Sequence, residues 1–233
     1  MKKNIELTIL IPCLNEEITL PVCIKKAFDF ISSNKISGEV LVVDNNSIDH
    51  SRSIAKKLGA RVIIQKNKGY GSALRYGIQN AYGKYIIMAD ADDSYNFLEI
   101  EPILLALKDG YDFVIGNRFQ GIIEKNAMPF LHRYIGTPAI TTIGNILYRT
   151  KIGDYNCGLR GLNKDKFQNL KFQTTGMEFA SEMIIVASKN NLTIQEIPVN
   201  LYKDKRNRKP HLNTIKDGMR HLKVLLKGIS SND

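Results

Sequence analysis

Two aspartates separated by one alanine, Asp90 and Asp92, come directly after an apolar run at residues 85–88. A continuous apolar run bounded by polar residues predicts a strand buried on both faces of a parallel sheet. Open α/β sheets bind their ligands at the carboxyl ends of such strands, where two carboxylates one residue apart point the same way. Mg²⁺ and Mn²⁺ take one or two carboxylates together with the oxygens of a substrate diphosphate. The pair therefore favours a metal–nucleotide site over a structural metal cage, although on its own an acidic triplet is more often a solvated turn.

The elements that must position this pair alternate between strand and helix patterns. The strand patterns lie at residues 5–11, 40–43, 61–65 and 85–88, and the helical patterns lie at residues 17–31, 47–58 and 70–82. Repeated strand–helix–strand units form parallel sheets with helices on both faces. The first half of the chain therefore predicts an α/β fold with a Rossmann-like, mostly parallel sheet.

A polar loop follows each of the first three strand patterns. The candidate binding residues are Pro12, Asn15 and Glu16 in the first loop, Asp44 in the second, and Lys68 and Gly71 in the third. Asp44 can accept hydrogen bonds from a base or ribose, and the third loop offers a cation and a glycine-opened helix start to phosphates. Helix capping and tight turns are the alternative roles. We expect the loops to converge beside the aspartate pair, because parallel strands end at one sheet edge.

An arginine in the second half has the features of a phosphate ligand. Arg118 leaves the buried strand pattern at residues 112–115 in a glycine-bounded loop. An arginine placed in this way can hold a phosphate with two parallel hydrogen bonds. A surface arginine in a turn is the alternative, and the neighbouring metal-bearing strand favours the phosphate role.

Three further segments carry candidate acceptor-side residues. Residues 120–137 contain His132 and are predicted to form either a mobile acceptor-binding loop or packed core. Residues 154–161 contain Asp154 and Arg160, which can alternatively pair with each other. Residues 176–183 begin a helix with Glu178 and Glu182 one turn apart, and salt bridges to the two arginines are their expected structural role.

Composition limits the class of protein. The 233 residues are 43% hydrophobic and 24% charged, which allows one sizeable core and excludes a disordered chain. The three cysteines form no CxxC pair, so we expect reduced thiols in a cytosolic setting. The apolar run near the N-terminus is too short for a signal peptide, and no apolar run is long enough to span a bilayer.

The net charge of +10 is concentrated near the C-terminus. Residues 203–227 contain nine Lys or Arg and two Asp, and a strand pattern at residues 192–199 precedes them. Residues 214–227 predict a basic amphipathic helix, whose apolar stripe is formed by Ile215, Met219, Leu222 and Leu226. This helix either lies in a membrane interface or packs on the domain with a wet basic face. Such a block could also meet nucleic acid, but the scattered aromatics and the acidic site oppose a nucleic-acid-binding module.

The motifs taken together resemble a known family. The segments IPCLNEE, VVDNNSID, KNKGYGSALRYG and MADADDSY resemble the family 2 glycosyltransferases of the GT-A fold, and within them the dolichol-phosphate mannose synthase and polyprenyl-phosphate glycosyltransferase branch. The resemblance extends from about residue 5 to residue 226. One departure is the absence of tryptophan, since cousins with hydroxyl acceptors often carry a Gln-x-x-Arg-Trp sequence.

The resemblance implies roles for individual residues. The residues implied at the nucleotide sugar are Pro12, Asn15, Glu16, Asp44, Lys68, Gly71, Asp90, Arg206 and Arg208. The implied metal ligands, for Mg²⁺ or Mn²⁺, are Asp90, Asp92 and Ser94. The residues implied at the acceptor are Arg118, His132, Arg160 and Glu178, and those implied in catalysis are Asp92, Arg118 and Asp154.

The resemblance also implies an activity. The expected enzyme is an inverting, metal-dependent hexosyltransferase that moves a sugar from GDP-mannose or a UDP-hexose to a polyprenyl phosphate. It would work as a peripheral protein on an anionic membrane at the cytoplasmic face, with a possible membrane-protein partner and no nucleic acid. A catalytic domain at residues 1–212, with halves at 1–94 and 95–212, would precede a helix and tail at 213–233. The alternative is the same fold and donor with a sugar, lipid or peptide hydroxyl acceptor, which would need Asp154 or Glu178 as a base.

Overall fold

The computed structural model describes residues 5–206 and 214–228. Within them the strands are β1 Leu7–Cys13, β2 Gly38–Asp44, β3 Arg61–Ile64, β4 Tyr85–Met88, β5 Phe113–Asn117, β6 Arg160–Asn163 and β7 Ile194–Pro198. The helices are α1 Leu20–Ser33, α2 Ser51–Lys57, α3 Tyr70–Asn80, α4 Glu101–Lys108, α5 Thr137–Tyr148, α6 Lys164–Phe167, α7 Phe179–Lys189 and α8 Thr214–Lys227.

The strands form one seven-stranded sheet in the order β3-β2-β1-β4-β6-β5-β7. Strand β1 lies between β2 and β4 and pairs with both in parallel, from Leu7 opposite Gly38 to Cys13 opposite Asp44 on one side. Strand β6 is antiparallel to both of its neighbours, β4 and β5. The predicted α/β fold with a mostly parallel sheet is therefore confirmed, with β6 as the one reversed strand among the described residues.

The central strands are apolar because both of their faces are covered. Every residue of β1 and β4 is buried, and helices α1 and α3 both contact strands of this half of the sheet. Burial of this continuous apolar surface contributes about 25 cal/mol per Å² to folding. It also fixes the carboxyl ends of β1, β2 and β4 side by side, which is where the polar loops begin.

Three local expectations from the sequence were wrong. Pro12 does not end the first strand, which continues in register to Cys13. Residues 132–148, partly assigned to a loop, form a π-helical turn, His132–Gly136, followed directly by α5. Residues 154–161, for which no strand was predicted, end in strand β6, whose short RGLN sequence has no apolar pattern.

Helix α8 packs on the domain through a different face from the predicted one. His221 and Leu225 are buried, and the Tyr148 hydroxyl donates to the Leu225 carbonyl at 2.8 Å. Met219 and Leu226 of the predicted apolar stripe are instead 62% and 65% exposed. Packing and an exposed apolar stripe therefore occur together in one helix. Across the described residues, every helix falls short of the length and apolar character that a bilayer span requires.

Candidate active site

The loops after the first three strands meet at one edge of the sheet, as expected from the sequence. The Asn15 side chain accepts from the Ile48 N–H at 2.8 Å, which joins the first loop to the second. The Asn45 side chain joins the second loop to the third, since its Nδ2 donates to the Asn67 carbonyl and its Oδ1 accepts from the Gly69 N–H. These bonds satisfy backbone groups that a loop would otherwise leave open.

Asp44 lies at the base of this edge with a fully buried side chain. Its carboxylate accepts from the N–H groups of Asn46 and Ser47 and from Arg52 Nε at 2.6 Å. Arg52 is a partner that sequence reasoning missed. Asp44 thus organises its own loop, and its contact with a nucleoside stays a prediction.

Asp90 and Asp92 follow β4 at the same edge. Asp92 Oδ1 accepts from the backbone N–H and the hydroxyl of Ser94, at 3.0 and 2.6 Å. Burial and, second, the charge of Asp92 raise the pKa of Asp90 to about 7, whereas a hydrogen bond from Tyr70 opposes the shift. Two neighbouring carboxylates whose charge is this costly are suited to a cation.

Arg206 supplies a cation to this cluster. Its Nη2 donates to Asp92 Oδ2 at 2.9 Å and its Nη1 to Glu16 Oε1 at 3.2 Å, while its Nε donates to Asp204 Oδ2 at 2.7 Å. The loop after β7 therefore reaches both the first loop and the aspartate pair, and its contact with a donor diphosphate stays a prediction. Arg208, named with it, lies outside the described residues.

The residues present fit a divalent cation held partly by substrate. Within the described part of the chain, no group of three or more His, Cys, Asp or Glu side chains could hold a metal. Asp92 is buried and Asp90 is half-buried. One or two carboxylates are what Mg²⁺ or Mn²⁺ requires from the protein when substrate oxygens and water complete the shell. Asp90 and Asp92 would hold the ion, and the Ser94 hydroxyl, which donates to Asp92, orients that ligand.

A third aspartate of this loop was not expected in any role. Asp93 has a positive φ of 59° and a fully buried side chain that pairs with Lys26 at 2.6 Å and Lys205 at 2.5 Å. Lys26 lies on α1 and Lys205 lies in the loop after β7, so the two ion pairs connect the turn at Asp93 to both elements. The loop that carries the aspartate pair is therefore held by a third aspartate, which pairs with two lysines.

The α3 N-terminus is already capped within the chain. The N–H groups of Gly71 and Ser72 donate to the carbonyls of Gly176 and Thr175, each at 3.2 Å. A Cβ at Gly71 would lie 2.7 Å from the Phe179 Cβ. The glycine therefore serves close packing, and this geometry does not favour phosphate binding by its N–H, whereas Lys68 is exposed beside it.

Arg118 and Asp154 form the other half of the site. Arg118 Nε donates to Asp154 Oδ2 at 2.6 Å and Nη2 donates to Oδ1 at 2.8 Å. The Asp154 side chain is fully buried, whereas that of Arg118 is 12% exposed. Burial works against the charge of Arg118, but Tyr95 and Asp154 raise its pKa above the ordinary value. Arg118 is thus held charged, with one edge on Asp154.

Arg160 has a structural position. It is 2% exposed and donates to the carbonyls of Tyr155, Cys157 and Ala180, at 2.8, 2.8 and 2.6 Å. The suggested pairing of Arg160 with Asp154 was wrong, since Arg118 takes that carboxylate. This geometry does not favour direct contact between Arg160 and an acceptor.

The two glutamates of the α7 segment also differ from their expected salt-bridging role. Glu182 is buried and accepts from the N–H groups of Gln173 and Thr174, and from the Thr174 hydroxyl. Glu178 Oε1 accepts from the Gly176 N–H, whereas its buried Oε2 has no hydrogen-bond partner among the described residues. Neither pairs with Arg118 or Arg160, so the salt-bridge expectation was wrong for the described residues.

His132 opens the π-helical turn ahead of α5. Burial and, second, the charge of Arg118 lower the pKa of its imidazole. The effect of Arg118 shows that the two side chains are near each other, and a contact of His132 with an acceptor stays a prediction.

Comparison with known proteins decides the family. Residues 8–171 match the model for glycosyl transferase family 2. The chain belongs to this family. Similar proteins include the low-salt glycan biosynthesis hexosyltransferase Agl6 of Haloferax volcanii, which is 36% identical over 94% of this chain and 53% of its own length. The chain therefore spans about half of that relative.

Two further comparisons support the assignment. A dolichyl-phosphate hexose transferase of Haloferax volcanii is 30% identical over 69% of this chain and 68% of its own length. The crystal structure of glucosyl-3-phosphoglycerate synthase from Mycobacterium tuberculosis with Mn²⁺, UDP and glucosyl-3-phosphoglycerate has a TM-score of 0.75. It is 18% identical and covers 97% of this chain and 80% of that one, so it shows the shared GT-A fold. Family membership and the hexosyltransferase relatives support glycosyltransferase activity.

Proposed function

We propose that this glycosyltransferase moves a hexose from a nucleotide diphosphate sugar to a polyprenyl phosphate. The observation that carries the proposal is the Arg118–Asp154 ion pair. Both oxygens of Asp154 accept hydrogen bonds from Arg118, and the side chain is fully buried. A carboxylate in this state is poorly placed to take a proton from a hydroxyl, whereas the charged arginine beside it is suited to an anionic acceptor.

The donor half of the site matches a nucleoside diphosphate. Asp90, Asp92 and Glu16 form an acidic cluster that Arg206 enters. A divalent ion bound there would offset the charge of the diphosphate leaving group. Crystal structures of the similar mycobacterial enzyme are complexes with UDP and Mn²⁺ or Mg²⁺. We extend that donor class to this chain and leave the base, uridine or guanosine, open.

The reaction needs no strong base in this proposal. An oxygen of the acceptor phosphate, already anionic at neutral pH, attacks the anomeric carbon of the sugar. The bond from that carbon to the oxygen of the diphosphate breaks, and the electron pair leaves with the nucleoside diphosphate. Arg118 holds the acceptor phosphate, Arg206 stabilises the leaving group, and direct displacement inverts the anomeric centre.

A hydroxyl acceptor is the second candidate. The environment of Glu178 supports this candidate, because the buried Oε2 of Glu178 has no hydrogen-bond partner among the described residues. An enzyme with a hydroxyl acceptor would use this carboxylate as its base. Similarity to the dolichyl-phosphate hexose transferase of Haloferax volcanii supports the phosphate instead.

The acceptor would reach the site from a membrane surface. Four large apolar residues ahead of α5 are more than half exposed: Phe130, Leu131, Tyr134 and Ile135. Helix α8 adds exposed Met219 and Leu226 beside the cations Arg220, Lys223 and Lys227. Exposed apolar side chains mixed with cations favour an anionic lipid surface. We propose that the enzyme works on the cytoplasmic face of the membrane, with a catalytic domain at 1–212 and the helix and tail at 213–233.

The test is a transfer assay with a short prenyl phosphate, Mn²⁺ or Mg²⁺, and UDP- and GDP-hexoses in parallel. Mass spectrometry of the organic phase should detect a glycosyl prenyl phosphate with one donor class and none after addition of EDTA. Donor consumption that yields only free sugar, or no product with any donor, would contradict the proposed acceptor.

A further inference from the structure

We propose that Glu196 is a positioning residue that holds the Arg118–Asp154 pair in its binding geometry. The inference rests on the proposed role of that pair at the acceptor. Glu196 lies on the edge strand β7, opposite Ile115 of β5, and belongs to none of the motifs described above.

The carboxylate of Glu196 accepts hydrogen bonds from the backbone at Asp154. Its Oε1 accepts from the Gly153 N–H at 2.8 Å and from the Asp154 N–H at 3.1 Å. The two bonds reach across 43 and 42 residues of sequence. They fix the turn ahead of β6, so the Asp154 carboxylate faces Arg118.

The same carboxylate also reaches the element that carries Arg118. The Asn117 side chain donates a hydrogen bond to Glu196. Asn117 is 2% exposed, and its Oδ1 accepts from the Phe119 N–H at 3.0 Å, which caps the turn Arg118–Gln120. Glu196 is therefore linked to both sides of the ion pair, to one through Asn117 and to the other through the backbone of Asp154.

Gly153 packs closely against the side chains of Asn117 and Glu196. A Cβ at Gly153 would overlap the Asn117 amide nitrogen and lie 3.5 Å from Glu196 Oε2. The glycine is exposed and has no positive φ, so its small size is explained by this approach. Burial raises the pKa of Glu196, while its hydrogen bonds from Gly153, Asp154 and Asn117 oppose the shift.

The experiment compares Glu196→Ala and Glu196→Gln by NMR of the Arg118 side chain. Glutamine keeps an oxygen that can accept from both N–H groups, whereas alanine removes it. The Arg118 Nε–Hε signal, assigned by its loss in Arg118→Lys, should exchange slowly with water in the parent and in Glu196→Gln. In Glu196→Ala it should broaden or exchange at least tenfold faster.

A matched control separates positioning from general stability. Glu39 also accepts from a backbone N–H, that of Tyr82, and from Arg61, but it lies near the start of β2 at the opposite sheet end. Glu39→Ala should lower the melting temperature and leave the Arg118 signal unchanged. An Arg118 signal that persists with the parent's exchange rate in Glu196→Ala would overturn the inference.

Kinetics then connects the positioning role to the reaction. With prenyl phosphate as acceptor, Glu196→Ala should lower kcat/KM for the acceptor by roughly 10- to 100-fold, with the KM for the donor unchanged. Added to Arg118→Lys, it should cost little more, because the two residues act through one group. If the parent does not glycosylate prenyl phosphate, the proposed function fails, and the NMR result still decides the role of Glu196.

Discussion

Arg118 and Asp154 meet through two hydrogen bonds, Nε to Oδ2 at 2.6 Å and Nη2 to Oδ1 at 2.8 Å, across 36 residues of sequence. The pair joins the end of β5 to the turn before β6. It leaves Asp154 buried and engaged while Arg118 keeps a small exposed area. The half of the site that we propose for the acceptor is therefore a fixed cation with a buried counter-ion. The half that we propose for the donor is an acidic cluster paired with Arg206.

Substitution of Asp92 tests the metal. Asp92→Asn should keep the fold, because the residue lies in a loop, but it should abolish the Mn²⁺-dependent rise in melting temperature caused by a nucleoside diphosphate. Asp29→Asn, at an exposed position on α1, should behave as the parent. Equal shifts in the Asp92 variant and the parent, with and without EDTA, would show that Asp92 is not a ligand.

Gly71 distinguishes packing from phosphate binding. Gly71→Ala should reduce the free energy of unfolding by about 1–3 kcal/mol, because the new Cβ would press on Phe179. Gly218→Ala is the control, since nothing lies within 4 Å of a Cβ there and a helical alanine is favourable. Urea unfolding measures both variants. A Gly71→Ala protein of parental stability that binds nucleotide more weakly would restore the phosphate role.

The pH dependence of stability should report on the packing of α8. Burial and, second, Arg160 lower the pKa of His221 to about 4, against an ordinary value near 6.5. The folded protein holds the imidazole of His221 in its neutral form. The contribution of this residue to the free energy of unfolding is therefore complete above pH 6.5 and is lost as the pH falls towards 4. Between these two pH values, the free energy of unfolding falls by about 1.4 kcal/mol per pH unit.

The measurement is urea unfolding at pH 7.5 and pH 5. The free energy of unfolding of the parent should fall by about 2 kcal/mol more than that of His221→Gln between these pH values. Only the parent has an imidazole that is neutral when buried and takes up a proton when unfolding exposes it. His50→Gln, at an exposed position, should follow the parent. Identical pH profiles for the parent and His221→Gln would contradict the buried, neutral state of His221.

Membrane binding should depend on the exposed stripe of α8. The double variant Met219→Ser with Leu226→Ser should co-sediment less with anionic liposomes than the parent, because these side chains are 62% and 65% exposed. Leu105→Ser, at a half-exposed position on α4, should bind as the parent does. Binding should weaken with salt, since each basic residue contributes about 1 kcal/mol before screening. Unchanged sedimentation of the double variant would leave α8 with a packing role alone.

Apolar runs allowed the β1–β4 half of the fold and its loops to be predicted from the sequence. Those runs are continuous because both sheet faces are covered, and their polar loops follow at predictable positions. Strand β6 was missed because its four residues pair with β4 and β5 without an apolar pattern of their own. Helix α5 was missed because its Thr- and Ile-rich sequence has weak helix propensity, and tertiary packing decides its conformation.

The partners within the site were harder to predict than its members. Asp154 and Arg118 were both named, but their mutual contact depends on where β5 ends against the turn before β6. Glu196 and Asp93 were missed because isolated carboxylates on an edge strand or in an acidic loop have no distinguishing spacing. The identity of Arg160 suggested a ligand, whereas its burial against three carbonyls is a property of the folded chain.

The most direct test of the central claim compares two acceptors that differ in one group. A short prenyl phosphate and the corresponding prenyl alcohol are supplied to the parent and to Arg118→Lys with the same donor and metal. We expect transfer to the phosphate alone. In Arg118→Lys, the kcat/KM for the phosphate acceptor should be about 10- to 100-fold lower than in the parent, and the KM for the donor should be unchanged. Transfer to the alcohol at a comparable rate, or loss of donor binding in Arg118→Lys, would contradict it.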